Sequence, residues 1–339
     1  MKRREFIAAL VLAGAARSAR AQLPTKQHRI AMVISTGPVA VISETSSDPV
    51  RRRLYQPFFK ALRRLGDVEG QNLTIERYSG EGRPEGYADL AREVVSHNPD
   101  VIVASSNPVA LAVRAASGTI PIVWIGINPI EFGLVANMAR PGSNITGVSL
   151  YDLEIYGKRL QILKEADPSA SKVGWLAPRG TWDGSYGQAL QRAFQETSQR
   201  LEISVVPMLL RESVPSEYQR VFAEIAREPP DAIMVSDIGD LTPHRQLIVE
   251  LVEKSRLPAI YGYREYVEAG GLMAYEADLG ELGRRMADDV HQILNGAKPG
   301  DIPIYQATRF ELVINLNTAK ALGLTIPHSM LMLADEVIE

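Results

Sequence analysis

Pro99-Asp100-Val101-Ile102-Val103-Ala104-Ser105 returns 131 positions later as Pro230-Asp231-Ala232-Ile233-Met234-Val235-Ser236. Both runs read as a turn, a short apolar strand, and a small hydroxyl residue where the strand stops. Two further echoes keep the same order. Arg29-Ile30-Ala31-Met32-Val33-Ile34-Ser35 answers to Lys172-Val173-Gly174-Trp175-Leu176-Ala177-Pro178, and Ile120-Pro121-Ile122-Val123-Trp124-Ile125-Gly126 answers to Leu257-Pro258-Ala259-Ile260-Tyr261-Gly262. Three paired strands at a similar offset predict two similar α/β lobes, with a cleft where their open sheets face each other.

Strand-like runs fall at 29–35, 72–78, 100–105, 121–127, 172–177, 202–208, 231–236, 258–262 and 271–275, several of them continuous in Ile and Val. Continuous apolar runs suit parallel strands buried on both faces. Helical spacing fills the gaps: Leu54, Phe58, Leu62 and Leu65, then Tyr87, Leu90, Ala91 and Val94, then Leu190, Ala193 and Phe194, then Leu247, Leu251 and Val252. Gly66 is placed to stop the first of these helices. A length of 339 residues suits two domains. The expected division is 28–148 plus 278–300 for the first lobe and 149–277 plus 301–339 for the second. Pro141-Gly142-Ser143-Asn144 marks the exit from the first, and a helix at 280–295 crosses back to complete it.

Residues 1–21 read as a cleaved signal peptide. Lys2-Arg3-Arg4 precedes an apolar stretch from Phe6 to Ala16, and Ala19-Arg20-Ala21 supplies a small-x-small cleavage pattern. The apolar stretch is too short for a bilayer, which needs about 20 residues. Arg3-Arg4-Glu5-Phe6-Ile7 leaves both the Sec and the twin-arginine routes open. The expectation is a periplasmic protein that does not itself span the membrane. It has no cysteine, hence no disulfide and no lipidated thiol. The formal net charge is −3, and cleavage would remove five basic residues against one acid, so a basic nucleic-acid-binding face is not expected.

At three places the chain resembles a known family. Arg264-Glu265-Tyr266-Val267-Glu268-Ala269-Gly270-Gly271-Leu272-Met273 is similar to a signature of ABC-transporter substrate-binding proteins of the tryptophan/tyrosine-binding type. So is the tail from Phe310-Glu311-Leu312-Val313-Ile314-Asn315 to Ala321-Leu322-Gly323-Leu324, and so is Ala139-Arg140-Pro141-Gly142-Ser143-Asn144-Ile145-Thr146-Gly147. The resemblance implies a type I periplasmic-binding-protein fold: two Rossmann-like lobes with parallel sheets and a three-stranded hinge. It also implies a ligand in the cleft, received by a membrane permease and its ATPase. Pro178-Arg179-Gly180-Thr181-Trp182-Asp183-Gly184 departs from the family's Asn-Pro-rich loop, and His328 stands where a second proline is common.

In open α/β sheets ligands sit beyond the carboxyl ends of the strands. There the first lobe offers Ser35, Thr36, Ser105, Ser106, Asn107 and Asn128, and the second offers Trp182, Tyr186, Ser236, Asp237 and Tyr263. Ser105-Ser106-Asn107 precede Pro108 at a helix start, where free amides suit an anion and a side chain could equally cap the helix. Asp237 suits an amino group or hydroxyl of a ligand, or a local turn. Asn128 carries the same alternative. Trp182 and Tyr186 either stack on a flat ligand or pack on their own lobe. Arg51-Arg52-Arg53 reads as one solvated helix face.

No catalytic residue, cofactor or metal site is expected. The histidines at 28, 97, 244, 291 and 328 lack ligand spacing, and Gly80-Glu81-Gly82-Arg83-Pro84-Glu85-Gly86 is a loop rather than a dinucleotide fingerprint. No phosphate loop or nucleophile elbow occurs. The reading is an exported solute-binding protein for a small polar or zwitterionic molecule, such as an aromatic or branched amino acid or a similar carboxylate. Its rivals are a ligand-binding sensor subunit and a doubly wound enzyme such as a glycosyltransferase or epimerase.

Overall fold

A computed structural model describes residues 27–151 and 153–339, and the expected signal peptide lies outside them. The first sheet takes strands β1 (His28–Ile34), β2 (Leu73–Ser79), β3 (Val101–Ser105), β4 (Ile122–Gly126) and β5 (Ile145–Ser149). A late two-residue strand, β11 (Tyr305–Gln306), completes the order β11-β5-β4-β3-β1-β2, with every pairing parallel. The second sheet takes β6 (Lys172–Pro178), β7 (Ser204–Leu210), β8 (Ala232–Val235), β9 (Ala259–Tyr261), β10 (Met273–Ala277), β12 (Phe310–Asn315) and β13 (Glu336–Ile338). Its order is β13-β12-β10-β9-β8-β6-β7, antiparallel only at β10–β12. This is an α/β architecture of two parallel-dominated sheets, and the duplicated strands occupy equivalent places. β1 lies between β2 and β3, as β6 lies between β7 and β8.

Helices alternate with these strands. The first lobe carries α1 (Pro49–Leu65), α2 (Tyr87–Ser96) and α3 (Asn107–Ala116). The second carries α4 (Glu154–Ala166), α5 (Gly184–Leu201), α6 (Pro215–Ile225), α7 (Arg245–Ser255) and the short α8 (Arg264–Glu268). Local chemistry sets the ends of α1. The Asp48 carboxylate accepts from Arg51 N at 3.0 Å, Pro49 opens the first turn, and Gly66 at φ 97° closes the last. The helix α9 (Leu279–Leu294) then returns to the first lobe. Its Leu282, Met286 and Val290 share a core with Phe58 and Leu62 of α1. A Cβ on Gly283 would fall 2.2 Å from Leu54 O, so the backbones approach too closely there for a larger residue.

The chain passes between the sheets three times: after β5, after β10 and after β11. These passages are stitched together, with Ala307 N donating to Ser149 O at 2.9 Å and Asp278 N donating to Arg309 O at 3.1 Å.

Three readings of the sequence differ from the structure. The strand-like runs include none at 145–149, where β5 lies at the expected end of the first lobe. That strand is short and holds Gly147 at φ 138°, where a Cβ would sit 2.0 Å from Trp124 O. A glycine demanded by close strand approach erases the apolar signal. The segment after 300 was expected in the second lobe, yet Tyr305 and Gln306 pair with Val148 and Ser149 of the first sheet. Two residues carry no period to read. Finally, Arg51-Arg52-Arg53 is not one solvated face. Only Arg52 is exposed; Arg51 donates to Thr36 O at 2.9 Å, and Arg53 reaches buried acids of the second lobe.

Candidate functional site

Each sheet has a point where the chain turns from one direction to the other, between β1 and β3 and between β6 and β8. Crevices for ligands form at such points. The sequence-predicted residues end or follow β1, β3, β4, β6, β8 and β9 in the chain, but they do different work there.

On the first lobe Ser105 Oγ donates to Val33 O at 3.2 Å, and Ser106 Oγ accepts from Val109 N at 3.4 Å as the cap of α3. Ser35 and Thr36 are half-buried, and their carbonyls hold neighbours. Ser35 O accepts from Gly82 N at 2.8 Å and Tyr87 Oη at 3.2 Å, while Thr36 O receives Arg51. Asn107 is committed inward. Its Nδ2 donates to Ile127 O at 2.7 Å, and its Oδ1 accepts from Trp124 Nε1 at 3.1 Å and Ile127 N at 3.2 Å. It clamps the loop that carries Asn128.

Asn128 is buried with φ 44°, and its Nδ2 has no hydrogen-bond partner among the described residues. Asparagine tolerates this left-handed conformation better than most residues, which turns the chain at the end of β4. Two atoms of the second lobe share its condition: Tyr186 Oη on α5 and Ser236 Oγ after β8, both buried and without a hydrogen-bond partner among the described residues. The Tyr186 hydroxyl lies near Tyr156 and Asn128 and feels the Asp237 carboxylate, but it makes no well-aligned bond to any of them. Unpartnered polar atoms also occur at Tyr261 and Tyr266, whose rings stack 4.9 Å apart inside the second lobe's core. Asn128, Tyr186 and Ser236 follow β4, β6 and β8 in the chain, beyond the carboxyl ends of strands from both sheets.

Asp237 is paired rather than free. Its Oδ2 accepts from Arg159 Nη1 at 2.6 Å and its Oδ1 from Tyr156 Oη at 3.2 Å. Tyr263 Oη donates to the Asp237 backbone carbonyl at 3.0 Å. Arg159 is fully buried, donates through Nε to Tyr275 O at 2.9 Å, and faces the rings of both Tyr151 and Tyr156, 5.6 and 5.8 Å from their centroids. Burial first, and then the Asp237 carboxylate, holds the Tyr151 and Tyr156 hydroxyls far above the usual phenol range, so both remain protonated donors. Trp182 packs on its own lobe, 5.3 Å from Trp175 and 6.4 Å from Phe194 by ring centroids.

Sequence reading missed Tyr151, Tyr156, Arg159 and Phe132. Arg159 had a signal: it falls four residues after Ile155, on the buried stripe of α4 with Leu160, Ile162 and Leu163. A charge on an apolar stripe needs a buried partner. The missing piece was the partner, Asp237, 78 positions away.

A second buried ion cluster ties the lobes together. Arg53 on α1 donates to both carboxylate oxygens of Glu276 at 2.7 and 2.6 Å, and its Nε lies 2.9 Å from Glu265 Oε1. Glu276 is 1% and Glu265 3% exposed. Burial pushes Glu276 up to about 7, outweighing the pull of Arg53. Among the described residues no group of three or more His, Cys, Asp or Glu is placed to hold a metal ion, and no helix is long and apolar enough to cross a membrane.

This two-sheet architecture has counterparts in known proteins. The profile of the ABC transporter substrate binding proteins matches residues 38–338. The chain belongs to this family. It is 26% identical over 290 residues to a "Tyrosine-binding protein" of Clostridioides difficile, covering 84% of this chain and 80% of that one. A conserved domain protein of Vibrio cholerae superposes with a TM-score of 0.80 at 26% identity, covering 92% of this chain and all of the other. An ABC domain from Streptococcus pneumoniae, solved in complex with L-Trp, superposes with a TM-score of 0.79 at 23% identity and the same coverage. The family member thus has the type I periplasmic-binding-protein fold.

Proposed function

We propose that this substrate-binding protein captures a free amino acid, with an aromatic side chain as the leading class, between its two lobes. In this reading it acts outside the cytoplasm and delivers the ligand to the permease and ATPase of an importer. The observation that carries it is the trio of buried, unpartnered polar atoms, one from the first lobe (Asn128 Nδ2) and two from the second (Tyr186 Oη and Ser236 Oγ). A buried polar group without a partner costs about 1–3 kcal/mol, and a ligand that bonds all three recovers that cost only when both lobes surround it.

Charge supports a zwitterion. Arg159 and Asp237 neutralise each other, so the site offers donors and acceptors without net charge. A molecule carrying both a carboxylate and an ammonium can enter without leaving a surplus charge buried. The rings of Tyr151, Tyr156 and Tyr186 supply flat apolar surface for a side chain. The relatives named for tyrosine binding and crystallised with L-Trp point the same way.

The test is calorimetric titration of the mature protein with L-tyrosine, L-tryptophan, L-leucine, sugars and nucleosides. Binding of an amino acid in the micromolar range is expected, equivalent to about −8 kcal/mol. Asn128→Ala and Ser236→Ala should each weaken it about tenfold or more, with little change in the unliganded melting temperature. Tight binding of a sugar or nucleoside with no amino-acid binding would overturn the reading.

A further inference from the structure

The loop after β4 projects an aromatic ring across the cleft. Phe132 lies 4.7 Å from Tyr186 by ring centroids at an interplanar angle of 30°, a contact between the first lobe and α5 of the second. Phe132 is half-buried and packs against the cores of both lobes. Its loop is held firmly at both ends. Asn107 grips Ile127 through backbone N–H and C=O, and Arg114 Nη1 donates to Gly133 O at 2.7 Å and Leu134 O at 2.6 Å. Within the loop Phe132 N donates to Asn128 O at 3.2 Å and Leu134 N to Pro129 O at 2.8 Å. Loops usually move more than the elements they join. This one is anchored to α3, so it moves with the first lobe and carries its ring as a fixed projection.

We propose that Phe132 is the residue that closes the cleft: its ring seats on Tyr186 when the lobes come together and sets how long the ligand stays. The proposal deepens the amino-acid-binding reading and rests on it for the nature of the ligand. Tyr186 has two faces of use, its hydroxyl toward Asn128 and the Asp237 pair and its ring toward Phe132. Ligand contact and lobe closure therefore meet in one side chain. Asn107 and Arg114 act as positioning residues, because they hold the loop without touching Tyr186 in any bond described above.

Two measurements test this. Stopped-flow dissociation of L-tryptophan and L-tyrosine should be about three- to tenfold faster in Phe132→Ala, the range of one aromatic pair, with the association rate within twofold of wild type. Phe132→Trp should restore slow release. The second measurement needs no amino acid. The chain has no cysteine, so Phe132→Cys/Tyr186→Cys introduces the only two thiols. A short bis-methanethiosulfonate spacer should bridge them within one molecule. Failure of that cross-link, or release from Phe132→Ala within twofold of wild type, overturns the proposal. A cross-link that forms in the double variant, when the wild-type protein binds neither probe, refutes the amino-acid reading and leaves the closing contact standing.

Discussion

Replacing Arg53 by methionine should make stability fall steeply with pH. In the native protein the guanidinium touches two carboxylates that water hardly reaches. For both acids burial is the largest influence and raises the carboxyl, while Arg53 is the largest influence that lowers it. A carboxyl raised in the native state binds more protons folded than unfolded, so stability declines as pH rises through the native value. With Arg53 present Glu276 stands at about 7, and it rises further when the cation is gone. At pH 9 the variant must keep neutral an acid that the wild type ionises. Two pH units correspond to about 2.7 kcal/mol. Glu265 adds in the same direction, giving a total of about 3–5 kcal/mol, the usual cost of breaking a buried pair. At pH 5.5 Glu276 is mostly protonated in either protein, and the difference should shrink to about 1 kcal/mol of lost contacts. Denaturant unfolding followed by circular dichroism at pH 5.5 and pH 9 measures both. Arg53→Met/Glu276→Gln should recover more than half of the loss at pH 9. Equal losses at the two pH values, or none at pH 9, would refute the electrostatic reasoning.

Other outcomes follow from the same kind of accounting. Asn107→Ala should lower the stability of the unliganded protein by about 3 kcal/mol in denaturant unfolding, because Trp124 Nε1 and both backbone groups of Ile127 lose their partners. A purely ligand-contacting residue would leave that stability untouched. Asp289 on α9 is buried, has an unpartnered Oδ2, and is pushed up to about 8 by burial and then by Asp288, against Arg285. It holds a proton in the native state, so wild-type stability should fall relative to Asp289→Asn by up to about 1.4 kcal/mol per pH unit between pH 4 and 8 and level off above. Melting temperatures across that range measure the difference, and a flat one would show that Asp289 ionises normally.

Part of the site was legible from residue order. Ser106 and Asn107 stand where a strand hands over to a proline-started helix, and both lie at that handover in the structure. Which of them would face a ligand was not legible. Asn107 has the right chemistry, but its amide is taken up by Ile127 and Trp124, 17–20 positions away. Asn128 has the same side chain and keeps its donor unpartnered. The two asparagines differ only in their surroundings. Trp182 shows the same limit: the residue suits ligand stacking or core packing equally, and residue order does not show that Trp175 and Phe194 lie against it. Arg53 shows it most sharply, since its neighbours in sequence are Arg52 and Leu54, whereas its partners are Glu265 and Glu276.

Residue order alone determined the duplicated strand–helix pattern, the parallel character of the buried strands, and the glycine that ends α1. These depend on interactions among residues a few positions apart, which a linear pattern records. Only the tertiary structure decided the pairing of β11 with the first sheet, the pairing of Arg159 with Asp237, and the meeting of Phe132 with Tyr186. Those depend on which surfaces chain closure brings together. Many partners of suitable charge and size exist along 339 residues, and only the packed lobes select one.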